Sequence, residues 1–117
     1  MSDEQETRAQ QLPEIDRLIH EPSRYNVMAL LYVVDQADFL FVKNQTGLTP
    51  GNLSSHLSKL ESAGYVAIEK SFVGKTPRTM LQLTLEGRQA FESYRSIMKQ
   101  VFTSPGQAPG SDREPID

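Results

Sequence analysis

The first apolar positions of the chain repeat with the period of an α-helix. Their spacing of three and four residues predicts a short amphipathic helix with Pro13 in its first turn. Pro22 interrupts this helix, and the apolar run over residues 25–34 predicts a second, largely buried helix. The stripe of the first helix consists of Leu12, Ile15, Leu18 and Ile19.

Two further helices follow, each with a capping residue in front and a glycine behind. Asp38 is the expected N-cap of a helix over residues 39–46. Thr49 is the expected N-cap of a helix over residues 50–63, with Pro50 at its first position. Helix, glycine-containing turn and capped helix have the spacing of a helix-turn-helix. The terminating glycines are Gly47 and Gly64, and the apolar face of the second helix consists of Leu53, Leu57 and Leu60.

After Gly64 the apolar period changes from 3.6 to 2, which predicts two strands over residues 65–72 and 79–85. The loop between them, residues 73–78, is longer than a two-residue turn and predicts a projecting basic tip. Thr84 is the expected cap of a last helix over residues 85–102. The apolar stripe of this last helix consists of Phe91, Tyr94, Met98 and Val101.

The two ends of the chain differ from this middle part in composition. Residues 1–10 are polar and acidic, and we expect a flexible N-terminus. Residues 103–117 hold three prolines and two glycines without an apolar period, and we expect a disordered tail. The folded domain is therefore expected over residues 11–102. Its fold class is mainly α with a small β-hairpin.

The net charge of −3 hides a basic centre between acidic ends. Residues 22–102 carry nine Lys and Arg against six Asp and Glu, whereas both ends are acidic. A net charge of +3 over the centre permits binding to a polyanion without establishing it.

Composition excludes several classes of site. The chain has no cysteine and only two histidines, which removes disulfides, thiolate metal sites and thiol nucleophiles, and we expect neither a metal nor a cofactor. No nucleophile elbow, phosphate-cradling glycine loop or carboxylate pair is recognisable, so we do not expect an enzyme. No apolar stretch approaches the ~20 residues that cross a bilayer, and no signal sequence opens the chain. We therefore expect a cytoplasmic protein.

The order of three helices, a hairpin and a flanking helix on each side is that of the winged helix-turn-helix fold. Residues 51–66, GNLSSHLSKLESAGYV, resemble the recognition helix and first wing strand of small transcriptional regulators of the MarR/ArsR type. Residues 75–79 and 83–88 resemble the wing of that group and the start of its next helix. The resemblance covers roughly residues 23–88. It implies a homodimer that binds a pseudo-palindromic operator in double-stranded DNA and usually represses transcription; any small-molecule effector stays unidentified.

The face of the 50–63 helix opposite its leucines is built of small polar residues. Gly, Asn and Ser in a helix cost roughly 0.5–1 kcal/mol each relative to Ala, so a face selected for stability alone would not use them. Such residues allow close approach to base edges. We expect Asn52 and Ser55 to contact bases, and Lys59 and Ser54 to contact phosphates. The face holds Gly51, Asn52, Ser55, Lys59 and Ser62, with Ser58 at one edge and Ser54 and His56 on its flanks.

Three further positions have two interpretations each. Thr49 caps its helix, and the helix end that it opens also suits a phosphate. His56 is either a surface histidine that touches the DNA backbone or a buried histidine with its hydrogen bonds satisfied inside the protein. Lys75 and Arg78 belong either to an ordinary solvated turn or to a wing that grips phosphates or enters the minor groove.

The apolar stripes of the flanking helices belong to the core of one chain or to an interface between two chains. We expect a dimer, because one short recognition helix alone gives low affinity and specificity. The alternative function is a winged-helix module that binds other proteins and not DNA. The candidate dimer residues are Leu12, Ile15, Leu18, Phe91, Tyr94, Met98 and Val101.

Overall fold

The computed structural model describes residues 15–102. Leu12, the predicted flexible N-terminus and the predicted tail lie outside the described residues. Asp16–Glu92 form one unit, and the described part of a second unit comprises Ile15 and residues 93–102. The elements in chain order are α1 (Arg17–His20), α2 (Pro22–Val34), β1 (Gln36–Asp38), α3 (Phe39–Thr46), α4 (Pro50–Ser62), β2 (Val66–Val73), β3 (Thr76–Leu83) and α5 (Leu85–Phe102).

The predicted helix-turn-helix is confirmed down to its capping residues. The side chain of Asp38 accepts a hydrogen bond from the backbone N–H of Phe41 at 2.8 Å. Thr49 Oγ1 accepts one from the N–H of Asn52 at 3.1 Å, so α4 starts at Pro50 as predicted. Gly47 ends α3 in the left-handed conformation with φ of 75°, which a residue with a side chain rarely adopts.

The sheet has three antiparallel strands in the order β1-β3-β2, where the sequence predicts only a two-stranded hairpin. The additional strand β1 pairs Ala37 with Leu81 of β3, and Ala37 is buried there. Three residues, Gln-Ala-Asp, carry no alternation that could be recognised in advance. Strand β1 therefore exists because of its pairing with a distant segment and not because of local propensity.

The turn of the hairpin is shorter than predicted. Val73 pairs with Thr76, so the turn consists of Gly74 and Lys75 alone. Gly74 has a φ of 64°, and a glycine at the first of two turn residues is typical of a tight hairpin turn. Pro77 is tolerated within β3 because β1 pairs only as far as Met80, so at Pro77 the outer edge of β3 has no strand partner. The predicted six-residue loop is wrong, and Arg78 lies in a strand.

The core of the Asp16–Glu92 unit lies between the helices and the inner face of the sheet. Helix α2 buries one side only, whereas its Val33 is exposed, so this helix is less buried than predicted. Phe91 of α5 lies against Tyr25 and Tyr32, with ring centroids 5.4 and 5.1 Å apart. The fully buried side chains are Ile19, Val27, Met28, Leu31, Val42, Leu53, Leu60, Leu81 and Phe91.

Helix α5 starts where predicted and packs closely on the residue that precedes the hairpin. Thr84 Oγ1 accepts a hydrogen bond from the N–H of Gly87 at 2.9 Å and donates one to the carbonyl of Gly64 at 2.6 Å. A Cβ on Gly87 would overlap the carbonyl oxygen of Tyr65 and lie 2.8 Å from its carbonyl carbon. Only glycine permits this approach, which fixes the start of α5 against the base of the hairpin.

Candidate nucleic-acid interface

Helix α4 presents its small polar side chains to solvent. Its three leucines are buried and fix the rotation of the helix about its axis. The opposite face is exposed, and within residues 15–102 no hydrogen bond or ion pair engages the side chains of Asn52, Ser55 or Lys59. This face could therefore form new contacts without breaking existing ones. Its exposed members are Gly51, Asn52, Ser55, Ser58, Lys59 and Ser62.

The N-terminus of α4 is also open to solvent. Thr49 bonds the N–H of Asn52 through its side chain and that of Leu53 through its carbonyl oxygen, at 2.9 Å. Pro50 has no N–H, and Gly51 is exposed with nothing within 4 Å of the place where a Cβ would lie. The partial positive charge of this helix end thus lies beside a surface without side-chain bulk.

Ser54 lies at the edge of the exposed face, beside a groove between α4 and the hairpin. The groove has a volume of about 660 Å³, and its polar lining includes Ser54, Ser58 and Glu61 from α4. Lys70 and Thr79 line it from the sheet. Lys70 was not among the predicted site residues. The alternation of side chains along the strand could have indicated it, because this alternation places Lys70 on the same face as Ile68.

His56 is turned away from the exposed face of α4. Its side chain is only 18% exposed, and its Nδ1 lies 3.3 Å from Nη1 of Arg24 and 3.9 Å from Oε1 of Glu21. Arg24 also donates to the carbonyl of Leu18 at 2.7 Å. The cluster connects α4 to the start of α2. The geometry therefore favours a histidine satisfied within the protein over the predicted contact with the DNA backbone.

The hairpin carries exposed cations, but they are not gathered in one loop. Lys75 lies in the two-residue turn and is exposed. Arg78 pairs with Ser71, whereas Thr79 pairs with Lys70, so Arg78 and Lys70 lie on opposite faces of the hairpin. The two basic residues predicted for the tip thus occupy a turn and a strand, and Lys70 supplies a third cation on the side of α4.

The base of the hairpin is connected to α1 by a tyrosine. Tyr65 donates a hydrogen bond from its hydroxyl to Oδ2 of Asp16 at 2.6 Å, and Oδ1 of Asp16 caps α1. Burial raises the pKa of Tyr65 to about 12, and the hydrogen bond to Asp16 and the nearby carboxylates of Asp16 and Glu86 add to the effect. The hydroxyl therefore stays protonated and holds the hairpin base in place.

The candidate dimer residues differ in exposure. Phe91 and Tyr94 are buried, and Phe91 has its ring partners inside the chain, which favours a core role for it. Ile15, Leu18 and Met98 are half-buried. In the second unit Val101 is 46% exposed and Phe102, which the sequence analysis did not select, is 79% exposed.

Residues 15–102 contain neither a metal-ion cluster nor a membrane-spanning helix. No group of three or more His, Cys, Asp or Glu side chains in this part of the chain could hold a metal ion. None of the helices described is long and apolar enough to cross a membrane.

Comparison with known proteins gives consistent matches. Residues 23–102 match the family model of the winged helix DNA-binding domain. An uncharacterised protein of Methanocaldococcus jannaschii is 36% identical over 78 residues, 67% of this chain and 85% of that protein. A transcriptional regulator homologue from Pyrococcus horikoshii has a TM-score of 0.70 and 31% identity, and the match covers 74% of this chain and 85% of that one. A mutant MarR from E. coli, at 19% identity, shares the fold with a TM-score of 0.60 over 67% of this chain and 57% of its own.

Proposed function

This chain belongs to the winged helix DNA-binding domain family, and from this premise we propose that it is a regulator of MarR type that represses transcription by binding a pseudo-palindromic operator as a homodimer. In this proposal α4 enters the major groove of double-stranded DNA. The β2–β3 hairpin contacts the phosphate backbone or the minor groove next to it.

The observation that carries the proposal is the exposed face of α4. It combines Gly51, Asn52 and Ser55, which weaken an isolated helix, with side chains that have no partner within the described residues. A helix face whose residues lower the stability of the helix without improving its packing is typical of a functional surface. Small side chains allow the helix axis to approach the floor of the groove, and amide and hydroxyl groups both donate and accept hydrogen bonds there.

The roles divide between base edges and phosphates. Asn52 and Ser55 are proposed to discriminate bases, because their side chains are short and unpaired. Lys59 and Ser54 are proposed to bind phosphates, and the open N-terminus at Thr49 adds a partial positive charge for the same purpose. His56 has a smaller role in this proposal, because Arg24 and Glu21 already engage it.

The hairpin is proposed to add phosphate contacts through Lys75 and Arg78. Both are exposed, and they lie on a ribbon that projects beyond the strand β1. Such contacts bind any sequence and make the affinity depend on salt concentration. They would therefore position α4 without selecting bases.

Dimerisation is proposed to set the spacing of the two half-sites. The exposed Val101 and Phe102 and the half-buried Met98 support an interface at the end of α5. Two recognition helices related by a two-fold axis contact half-sites about one helical turn apart, roughly 34–36 Å between centres. The domain itself is proposed to span residues 11–102.

Titration of duplex DNA at several salt concentrations tests this function. We expect binding that weakens steeply with salt. Asn52→Ala should bind the preferred sequence about 1–3 kcal/mol more weakly and other sequences as the native chain does. Asn26→Ala, an exposed asparagine on α2, is the matched control and should bind as the native chain does. Lys75→Ala should weaken all duplexes to a similar extent and flatten the salt slope.

The alternative is a module that binds only other proteins, which the modest net charge of +3 over residues 22–102 favours. Such a module would show no salt-dependent binding to any duplex. The absence of that binding in the native chain would replace the proposed function with this alternative.

A further inference from the structure

We propose that the tip of the hairpin carries an apolar wedge, formed by Phe72 and Pro77, which enters the minor groove of bound DNA and partly unstacks one base step. This inference rests on the proposed DNA-binding function and deepens it. It assigns a contact and a deformation of the DNA to residues that are not among the predicted phosphate and base contacts.

The wedge is a pair of directly opposed apolar residues near the turn. Phe72 of β2 pairs with Pro77 of β3, one position before the Val73–Thr76 pair that closes the hairpin. The Phe72 side chain is 69% exposed, and Pro77 is exposed as well. An aromatic ring at the far end of a ribbon contributes no burial to the core of this unit.

The wedge faces the same side as α4. Side chains on one face of a strand recur at every second residue, so Ile68, Lys70 and Phe72 form one row. The first two members of this row line the groove beside α4, and Phe72 continues it beyond the groove. A duplex that lies along the exposed face of α4 would therefore meet Phe72 on the adjoining ribbon.

The charges around the wedge fit a polyanion with an apolar interior. Lys70, Lys75 and Arg78 lie within three residues of Phe72 or Pro77 along the strands, and Glu69 is the single acid over residues 66–83. DNA presents phosphates at the edges of its minor groove, with sugars and stacked bases between them. Cations at the rim and an apolar centre match that arrangement, and Phe and Pro are among the side chains that proteins insert between base steps.

The tight turn also keeps the tip of the hairpin narrow. The axes of paired strands lie about 4.7–4.9 Å apart, so the side chains at the tip, and not the whole ribbon, would enter a minor groove about 6 Å wide. The two-residue turn of Gly74 and Lys75 keeps the tip no wider than the ribbon itself. A six-residue loop at this position would have been broader and would have held the apolar pair away from the groove floor.

Insertion has a consequence for sequence preference. Pyrimidine–purine steps unstack most easily, so the wedge should favour such a step at a fixed distance from the bases that α4 contacts. The preference would arise from the deformability of the DNA and not from hydrogen bonds to a base. The bound duplex should accordingly be bent at that step.

The test compares the full native chain with three hairpin variants on a preferred duplex. A fluorescent adenine analogue placed at successive steps reports unstacking, and energy transfer between dyes at the duplex ends reports bending. Phe72→Ala should lose the fluorescence increase and the bend and bind about tenfold more weakly, with an unchanged salt slope. Phe72→Leu should retain most of the bend. Val73→Ala removes an exposed apolar side chain from the opposite face of the same tip and should behave as the native chain.

The outcomes separate this inference from the proposed function. Equal bending and affinity for Phe72→Ala and the native chain would overturn the wedge, while a loss in Asn52→Ala would still support the proposed function. A native chain that binds no duplex would overturn both. A Phe72→Ala variant that changes the oligomeric state or loses binding to a protein, with DNA bending intact, would assign the ring to a protein contact and overturn the wedge.

Discussion

Replacing Gly51 by Ala should stabilise the protein and weaken its binding to DNA. Gly51 is the second residue of α4 and lies on its exposed face, and nothing lies within 4 Å of the position of an added Cβ. The free protein therefore accommodates the methyl group without rearrangement. Bound DNA, in the proposed arrangement, would occupy the same space.

The magnitude of the stabilisation follows from backbone entropy. Alanine in a helix is favoured over glycine by roughly 0.5–1 kcal/mol, because the unfolded alanine chain has less freedom to lose. For a domain of this size 1 kcal/mol corresponds to about 4–8 °C in melting temperature. We expect an increase of about 2–8 °C in melting temperature. On the DNA side, a methyl group forced into a close contact should weaken binding about tenfold, or ~1.4 kcal/mol.

The matched comparison is Gly87→Ala, since Gly87 is likewise in the first turn of its helix. The gain from helix propensity is similar at both positions. At Gly87, however, the new Cβ overlaps the carbonyl oxygen of Tyr65 and forces α5 away from the hairpin base. Overpacking typically costs about 1–3 kcal/mol, and an overlap with backbone lies at the upper end of this range. After the gain from helix propensity, a net loss of about 2 kcal/mol should lower the melting temperature by roughly 8–16 °C.

Thermal unfolding followed by circular dichroism measures the first effect, and titration of a preferred duplex measures the second. Gly51→Ala bound as tightly as the native chain would refute the close approach of α4 to the duplex. A lower melting temperature for Gly51→Ala would refute the open surroundings of this residue.

Four further predictions concern individual residues. Thr49→Ala removes the cap of α4 and should lower the free energy of unfolding in urea by about 1 kcal/mol. Thr49→Ser keeps the capping hydroxyl and should be as stable as the native chain. Equal losses in both variants would contradict the capping role. The pKa of Tyr65 is raised from 10.0 in the unfolded chain to about 12 in the folded one. The contribution of the protonated Tyr65 hydroxyl to stability is therefore present below pH 10 and is lost as the pH rises to about 12. Between these pH values, the free energy of unfolding measured by denaturation should therefore fall more steeply with pH for the native chain than for Tyr65→Phe. Parallel plots of this free energy against pH would refute the linkage. Phe91→Ala should lower the free energy of unfolding in urea by about 3–5 kcal/mol. Phe102→Ala should leave this free energy unchanged and weaken the proposed dimer in sedimentation, and an unchanged association would remove Phe102 from the proposed interface.

The parts of the fold that depend on neighbouring residues were predictable from the sequence. Asp38 and Thr49 cap the helices for which they were predicted, because a capping side chain bonds an N–H only three residues away. Gly64, the predicted end of α4, has the left-handed conformation typical of a terminating glycine, with φ of 82°. The exposed face of α4 followed from helical periodicity, since three leucines fix its rotation.

The parts that depend on distant pairing were not predictable. Strand β1 is recognisable only beside β3, more than 40 residues further along the chain. The tight turn was obscured by Pro77, whose place at an unpaired strand edge depends on where β1 ends. His56 carries no local sign that Arg24, 32 residues earlier, holds its ring nitrogen. The roles of Lys70 and Phe72 could not be predicted because they depend on the groove beside α4, which forms only in the folded chain.

The most direct test of the central claim, that the exposed face of α4 reads DNA, is to select bound duplexes from a random pool with the native chain and with Asn52→Ala. We expect the native chain to enrich an inverted repeat, and Asn52→Ala to enrich a motif that has lost its preference at one base pair of each half-site. No enrichment by the native chain, or an identical motif from both proteins, would contradict the claim.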